Sequence, residues 1–189
     1  MRLPHKKHCN HETVYKSVAR FTPYVRVFLL LCVCAAPVSA KAAPQPPSKW
    51  QLLPASPAGG ESLTLSLKAE KAVDGWMKKS YAPVLTIQCE KGKSSLYVEA
   101  GMALEVTVVD KQVVRLQFDD KKSFPQGWRE VTNSTLSARD ATPLIQHLVK
   151  SRKLVFEFIP FSSPAVQAEF DVAGLSAYSP QLAKACWGK

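Results

Sequence analysis

The sequence is poor in glycine and, after its first forty residues, it has no apolar run long enough to cross a membrane. Only 8 of the 189 residues are glycine, too few for the glycine-rich loops that cradle phosphate groups. A transmembrane helix needs about 20 consecutive apolar residues. These absences exclude a phosphate-cradling loop and a polytopic membrane protein.

Histidine is also scarce, since His147 is the only one beyond residue 40. No Gly-x-Ser-x-Gly motif occurs, and no metal-ligand spacing surrounds His147, which we interpret as a surface or half-buried helix residue. Asp119 and Asp120 are adjacent, so on a strand they would point to opposite faces. We therefore predict turn or strand-end roles for both. The sequence predicts no catalytic residue, no metal and no cofactor, and leaves a carboxylate-based hydrolase as an open alternative.

The first forty residues have the order of a secretory signal peptide. A basic stretch at 1–26 is followed by the apolar run Val27–Ala36 and then by Pro37–Ala40, which ends in small residues. We expect export, cleavage after Ala40 and a periplasmic location. Cleavage after Ala42 and an uncleaved anchor are the alternatives.

Half of the net positive charge of the chain belongs to this predicted export segment. The net charge is +10, and residues 1–40 hold six basic residues and one acidic residue, so the remainder carries +5. Without a zinc-finger, helix-turn-helix or RNA-recognition pattern, this moderate charge does not support a nucleic-acid partner.

Removing the first forty residues leaves Cys89 and Cys186 of the five cysteines. Two cysteines in an exported chain predict one disulfide. The alternative is a pair of separate buried thiols.

Residues 41–60 are rich in proline, and we expect a flexible leader there, with Trp50 docked on the domain. We assign a single β-rich domain to 61–189, and we expect the side chains of Trp76 and Tyr81 to cover its core. Period-two alternation predicts strands at 62–67, 84–89, 95–99, 104–109, 113–118, 128–132, 154–159 and 166–172. Helical spacing predicts helices at 142–152 and 174–185. The fold class is mainly β: a small antiparallel β-sandwich or partly open barrel of about eight strands, with two short helices and one disulfide.

The remaining cations cluster along the sequence, one pair being Lys78–Lys79. We predict a basic contact surface, which would bind an envelope protein or an anionic cell-envelope component. Its residues are Lys121, Lys122, Lys150, Arg152 and Lys153. The alternative is that these cations are only solvated loop and helix-end residues.

The order of these segments resembles the VasI/TagO family of exported bacterial proteins associated with type VI secretion. The matching pieces are Trp50, Leu63–Leu67, Pro83–Cys89, Ser95–Val98, Val114–Asp120, Trp128, Pro143–Leu148, Phe170–Leu175 and Ala185–Trp187. The chain departs from the family at Gln117, where arginine is common, at Ala100, where tryptophan is common, and in lacking a lipidated cysteine.

The resemblance implies a periplasmic, non-enzymatic accessory or binding protein connected with type VI secretion, and it supplies no catalytic residue. A periplasmic enzyme inhibitor, such as a lysozyme inhibitor, is the alternative function. An inhibitor of a basic lysozyme should be acidic to favour association, whereas this chain is basic beyond residue 40.

Overall fold

Within residues 48–54, 62–75, 79–105 and 111–188, which the computed structural model describes, the chain forms eleven strands and two α-helices. The strands are β1 (Gln51–Leu53), β2 (Ser62–Lys68), β3 (Val73–Asp74), β4 (Ser80–Tyr81), β5 (Val84–Glu90), β6 (Lys93–Glu99), β7 (Lys111–Phe118), β8 (Phe124–Thr132), β9 (Thr135–Ala138), β10 (Lys153–Phe158) and β11 (Val166–Asp171). The helices are α1 (Ala141–Val149) and α2 (Ser179–Trp187). The predicted signal peptide and Trp76 lie outside the described residues.

Nine strands form one antiparallel sheet in the order β1-β2-β5-β6-β9-β8-β7-β10-β11, and β3 pairs with β4 separately. Most neighbours in the large sheet are joined by hairpins, because short turns favour antiparallel pairing. β2 shows the expected alternation, with Leu63, Leu65 and Leu67 buried and the residues between them half-buried. The mainly β prediction is confirmed.

The sheet curls until its two ends meet. The backbone N–H of Glu70, just after β2, donates a 2.8 Å hydrogen bond to the carbonyl oxygen of Glu169 in β11. β2 is second from one end of the sheet and β11 lies at the other end. In the described ranges no ladder joins β1 to β11, so the architecture is a partly open barrel rather than a closed one.

Residues before β2 cover the seam of this barrel. Trp50 is only 4% exposed, and its Nε1 donates a 3.3 Å hydrogen bond to the carbonyl oxygen of Val172, just after β11. Lys49 forms ion pairs with Glu70 (2.8 Å) and Asp171 (3.1 Å), one from each end of the sheet. The docking of Trp50 is confirmed. The stretch 48–54 differs from the predicted flexible leader, because β1 and Trp50 gain backbone pairing and burial on the domain.

Inward-facing side chains from both halves of the sheet fill one core. Trp128 and Phe170 are both buried in it, as their strand positions predict. The indole of Trp128 meets the ring of Phe156 edge-on, with centroids 4.9 Å apart. Tyr81 packs half-buried against the same core.

Several elements differ from the sequence prediction, which contained about eight strands against the eleven in the described residues. Of the predicted strand 104–109, Leu104 makes an isolated bridge with Pro160, and residues 106–109 lie outside the described ranges. The strand β9 was not predicted, since four residues show little periodicity. The predicted second helix begins later, at Ser179, after a 3₁₀ turn over Leu175–Tyr178. Pro180 lies in the first turn of α2, where its missing N–H costs no helical hydrogen bond.

Candidate functional site

The predicted basic contact surface comes from two segments that the fold places side by side. β7 and β10 are antiparallel neighbours, with Phe118 opposite Leu154. The turn that follows β7 therefore adjoins the segment that precedes β10. Each segment carries part of the basic sequence, so the structure brings together cations about thirty positions apart in the chain.

Asp119 joins these two segments. Its Oδ1 accepts hydrogen bonds from the backbone N–H groups of Arg152 (2.8 Å) and Lys153 (3.0 Å). Its own backbone N–H donates to the carbonyl oxygen of Lys153 at 2.9 Å. Asp119 has a φ of +52°, a left-handed conformation that aspartate tolerates better than most residues. One residue thus ends β7, turns the chain and fixes the start of β10; we call this arrangement the Asp119 clamp.

The clamp depends on the charged form of the Asp119 carboxylate. The backbone hydrogen bonds from Arg152 and Lys153 hold the pKa of Asp119 below its ordinary value of 3.8, and the nearby charge of Lys121 lowers it further. Partial desolvation acts in the opposite direction and does not prevail. Asp119 therefore has the turn role that its sequence position predicts.

The basic side chains around the clamp are available for contact. Lys121, Lys122, Lys150 and Arg152 are exposed and Lys153 is half-buried. In the described part of the chain, none of these five cations has a carboxylate oxygen within 4.0 Å. Apart from the longer-range attraction between Lys121 and the Asp119 carboxylate, their positive charge is open to solvent or to a bound partner.

A shallow cavity of about 170 Å³ lies against one flank of the clamp and is lined by residues of both charges. Arg152 and Lys153 face three acidic residues there: Glu70, Glu169 and Asp171. Lys49 already pairs with Glu70 and Asp171. The basic contact surface therefore borders a region whose acidic groups are partly neutralised.

His147 is an exposed residue of α1 that packs on Phe118, the residue before Asp119. Its ring stacks on Phe118, with centroids 5.0 Å apart and the planes inclined by 22°. Its carbonyl oxygen accepts a 2.9 Å hydrogen bond from Ser151 Oγ, beyond the end of α1. This agrees with the interpretation of His147 as a helix residue of the surface. Among the described residues, no group of three or more His, Cys, Asp or Glu is arranged to hold a metal ion.

The predicted disulfide is confirmed. Cys89 in β5 is bonded to Cys186 in α2, with their Cα atoms 4.7 Å apart. Both cysteines are buried, and the bond ties the C-terminal helix to β5, the third strand from one end of the sheet. Disulfides persist in oxidising compartments, so this bond fits an exported protein. Across the described ranges, no helix is long and apolar enough to cross a membrane.

A second group of cations was missed by the sequence analysis. Arg129 in β8 and Arg139 just after β9 line a common recess. They are ten positions apart and belong to no basic run. The available signal was the Asn133–Ser134 turn between the two arginines, which would have indicated a hairpin and placed them on adjacent strands.

No protein-family model matches the chain, and no curated protein matches it. Among solved structures, the chain is similar to the crystal structure of invasion associated protein B from Bartonella henselae. The sequences are 13% identical, the match covers 71% of this chain and 92% of that one, and the TM-score is 0.45.

Proposed function

We propose that this protein is an exported, non-enzymatic accessory protein of the periplasm that binds an acidic component of the cell envelope through its basic contact surface. The observation that carries the proposal is the Asp119 clamp, which holds two basic segments together without placing acidic partners on their side chains. Such a surface attracts a negatively charged partner over distances of about 10 Å at 0.1 M salt.

The non-enzymatic part of the proposal is supported by the contacts that two titratable side chains, Asp119 and His147, already make. Asp119 is occupied by backbone hydrogen bonds, and the His147 ring is stacked on Phe118. We also propose a connection with type VI secretion, which rests only on the resemblance of the sequence to the VasI/TagO family.

Export has a direct test. Protein recovered from the periplasm should begin at Lys41 when its N-terminus is sequenced, because Ala40 ends the small-residue site. Recovery of chains that retain Met1 in the membrane fraction would contradict cleavage.

Binding is tested with the immobilised protein and an envelope extract, at low and high salt. The partner should be retained at 0.1 M salt and lost at 1 M, since the screening length falls from about 10 Å to about 3 Å. The triple variant Lys150→Glu, Arg152→Glu, Lys153→Glu should lose the same partner. The variant Lys150→Gln, Arg152→Gln, Lys153→Gln removes the positive charges without adding negative ones. It should therefore weaken binding without introducing repulsion with Asp119.

A matched control has the same change in net charge elsewhere: Lys79→Glu, Lys91→Glu, Lys93→Glu, three exposed lysines that do not line the cavity beside Arg152 and Lys153. The control should keep the partner. Equal loss in both triple variants, or binding insensitive to both salt and substitution, would refute the basic contact surface. Turnover of a peptidoglycan or ester substrate that is abolished by one acid-to-amide substitution would refute the non-enzymatic assignment.

A further inference from the structure

The second cationic group lies on the outer face of the sheet, at the end of β7 opposite the Asp119 clamp. Arg129, Ala138 and Arg139 line one recess of about 270 Å³. Lys111, which begins β7, is the direct cross-strand partner of Arg129. The seven residue steps along β7 separate this recess from the clamp by about 23 Å. The two basic regions are therefore distinct.

The arrangement of these cations is unfavourable by itself. Directly opposite residues in antiparallel strands have Cβ atoms about 5 Å apart, so the like charges of Lys111 and Arg129 repel. In the described residues, no carboxylate oxygen lies within 4.0 Å of the charged nitrogens of Lys111, Arg129 or Arg139. A bound anion would relieve this repulsion, and the forked guanidinium groups of two arginines suit a carboxylate.

A row of paired residues runs from the recess across the sheet towards a second depression. Arg129 is paired with Ser137 in β9, and Ser137 is paired with Tyr97 in β6, so the three residues form a row on one face. Ser137 is only 5% exposed, which shows that its neighbours cover it. Tyr97 lines a depression of about 360 Å³. Two strand spacings put its backbone about 10 Å from that of Arg129.

The second depression combines charged, polar and aromatic side chains, because its lining residues are Gln88, Glu90, Lys91, Lys93, Ser95 and Tyr97. Gln88 and Ser95, which are cross-strand partners, offer an amide and a hydroxyl there, and Tyr97 offers an aromatic ring. Amide and hydroxyl groups donate and accept hydrogen bonds, as sugar hydroxyls require. An aromatic ring can pack against the apolar face of a sugar ring. The row thus has an aromatic ring at Tyr97, beside the amide of Gln88 and the hydroxyl of Ser95, and guanidinium groups at its other end.

We propose that this row, from Tyr97 through Ser137 to Arg129 and Arg139, binds a carboxylated sugar chain. One sugar unit packs on Tyr97 beside Gln88 and Ser95. The carboxylate of a neighbouring unit is held by the two arginines. The site is independent of the basic contact surface, and its failure leaves that proposal untouched.

The test measures binding of tetragalacturonate to the full chain by titration calorimetry. Neutral maltotetraose and inorganic phosphate serve as the comparison ligands. The Arg129→Gln, Arg139→Gln variant should weaken tetragalacturonate binding about tenfold, because charged hydrogen bonds are lost. Tyr97→Leu should also weaken it while leaving the arginines in place. Maltotetraose should bind less tightly than tetragalacturonate.

The control variant is Lys150→Gln, Arg152→Gln, which removes the same charge from the basic contact surface. It should leave tetragalacturonate binding unchanged. Arg129→Gln alone should not lower the melting temperature, because it removes the repulsion with Lys111. An unchanged melting temperature would show that a loss of binding in this variant is not caused by unfolding.

Three results would overturn the proposal. If the variant Arg129→Gln, Arg139→Gln and the control Lys150→Gln, Arg152→Gln weakened tetragalacturonate binding equally, the attraction would be non-specific. If phosphate bound as tightly as tetragalacturonate, and if Tyr97→Leu had no effect on tetragalacturonate binding, the site would be one for an isolated anion. Absence of tetragalacturonate binding at millimolar ligand would show that the row is not a site for carboxylated sugar chains.

Discussion

The indole Nε1 of Trp50 donates a hydrogen bond to the carbonyl oxygen of Val172 across 3.3 Å. The two residues are 122 positions apart and belong to the two ends of the curled sheet. An indole combines a large apolar ring with one N–H donor. In Trp50 the ring packs on the core, and the N–H group forms the hydrogen bond across the seam. Closure of the partly open barrel thus depends on a residue from the predicted leader.

The first prediction concerns this closure. Trp50→Ala should lower the free energy of unfolding by about 3–5 kcal/mol, the usual cost of truncating a large buried aromatic side chain. Trp50→Phe should cost less, because it keeps most of the apolar contact and loses the hydrogen bond to Val172. Urea unfolding curves measure both. The exposed Leu52 in neighbouring β1 gives the control, and Leu52→Ala should change stability by at most about 0.5 kcal/mol. Equal effects of Trp50→Ala and Leu52→Ala would show that the seam is not held by Trp50.

The second prediction concerns the disulfide. The bond closes a sequence separation of 97 residues, and removal of a native disulfide typically costs about 2–5 kcal/mol. Cys89→Ala, Cys186→Ala should therefore unfold at lower urea concentration than the unmodified protein. The mass of the untreated protein should be two hydrogen atoms below that of the reduced protein. Two freely alkylated thiols in the native, unreduced protein would contradict the bond.

The third prediction concerns the core beneath β11. Phe170 is fully buried, so Phe170→Ala should cost about 3–5 kcal/mol by leaving a cavity. Phe161 is 49% exposed, and Phe161→Ala should cost much less. Thermal unfolding compares the two variants directly. An unchanged melting temperature for Phe170→Ala would mean that this side chain does not face the core.

The strands found by periodicity are those whose inward positions are strongly apolar. β2 and β7 alternate regularly because one face packs on the core and the other meets solvent. β9 and β1 have only four and three residues, so their positions depend on partners that local sequence does not specify. The disulfide was predictable because only Cys89 and Cys186 lie outside the predicted signal peptide.

The candidate sites were predictable only where cations are neighbours in the sequence. Lys121 and Lys122 are adjacent, as are Arg152 and Lys153, so composition revealed both segments. Nothing local indicates that Asp119 joins them, because its hydrogen bonds reach more than thirty residues along the chain. The recess of Arg129 and Arg139 likewise depends on strand pairing.

The fourth prediction tests the Asp119 clamp through pH. The pKa of Asp119 is lower in the folded protein than its ordinary value of 3.8, so its charged form stabilises the fold above that value. The stabilisation is lost as pH falls through the lowered pKa of the folded state. Asp119→Asn removes this contribution, and it should therefore reduce stability at neutral pH. The difference in unfolding free energy between the unmodified protein and the variant should stay constant near neutral pH and shrink below pH 3.8.

Urea unfolding at a series of pH values measures this difference, with Asp120→Asn as the control. Asp120 is the exposed neighbour in the same turn, so its substitution should change stability little at any pH. A difference for Asp119→Asn that stays constant down to the most acidic pH, or grows there, would contradict the clamp. If the clamp also positions the basic contact surface, Asp119→Asn should weaken envelope binding even though it makes the region more positive. If binding depended only on net charge, Asp119→Asn would strengthen it, because the variant removes one negative charge. This variant therefore distinguishes the effect of the geometry of the surface from the effect of its net charge.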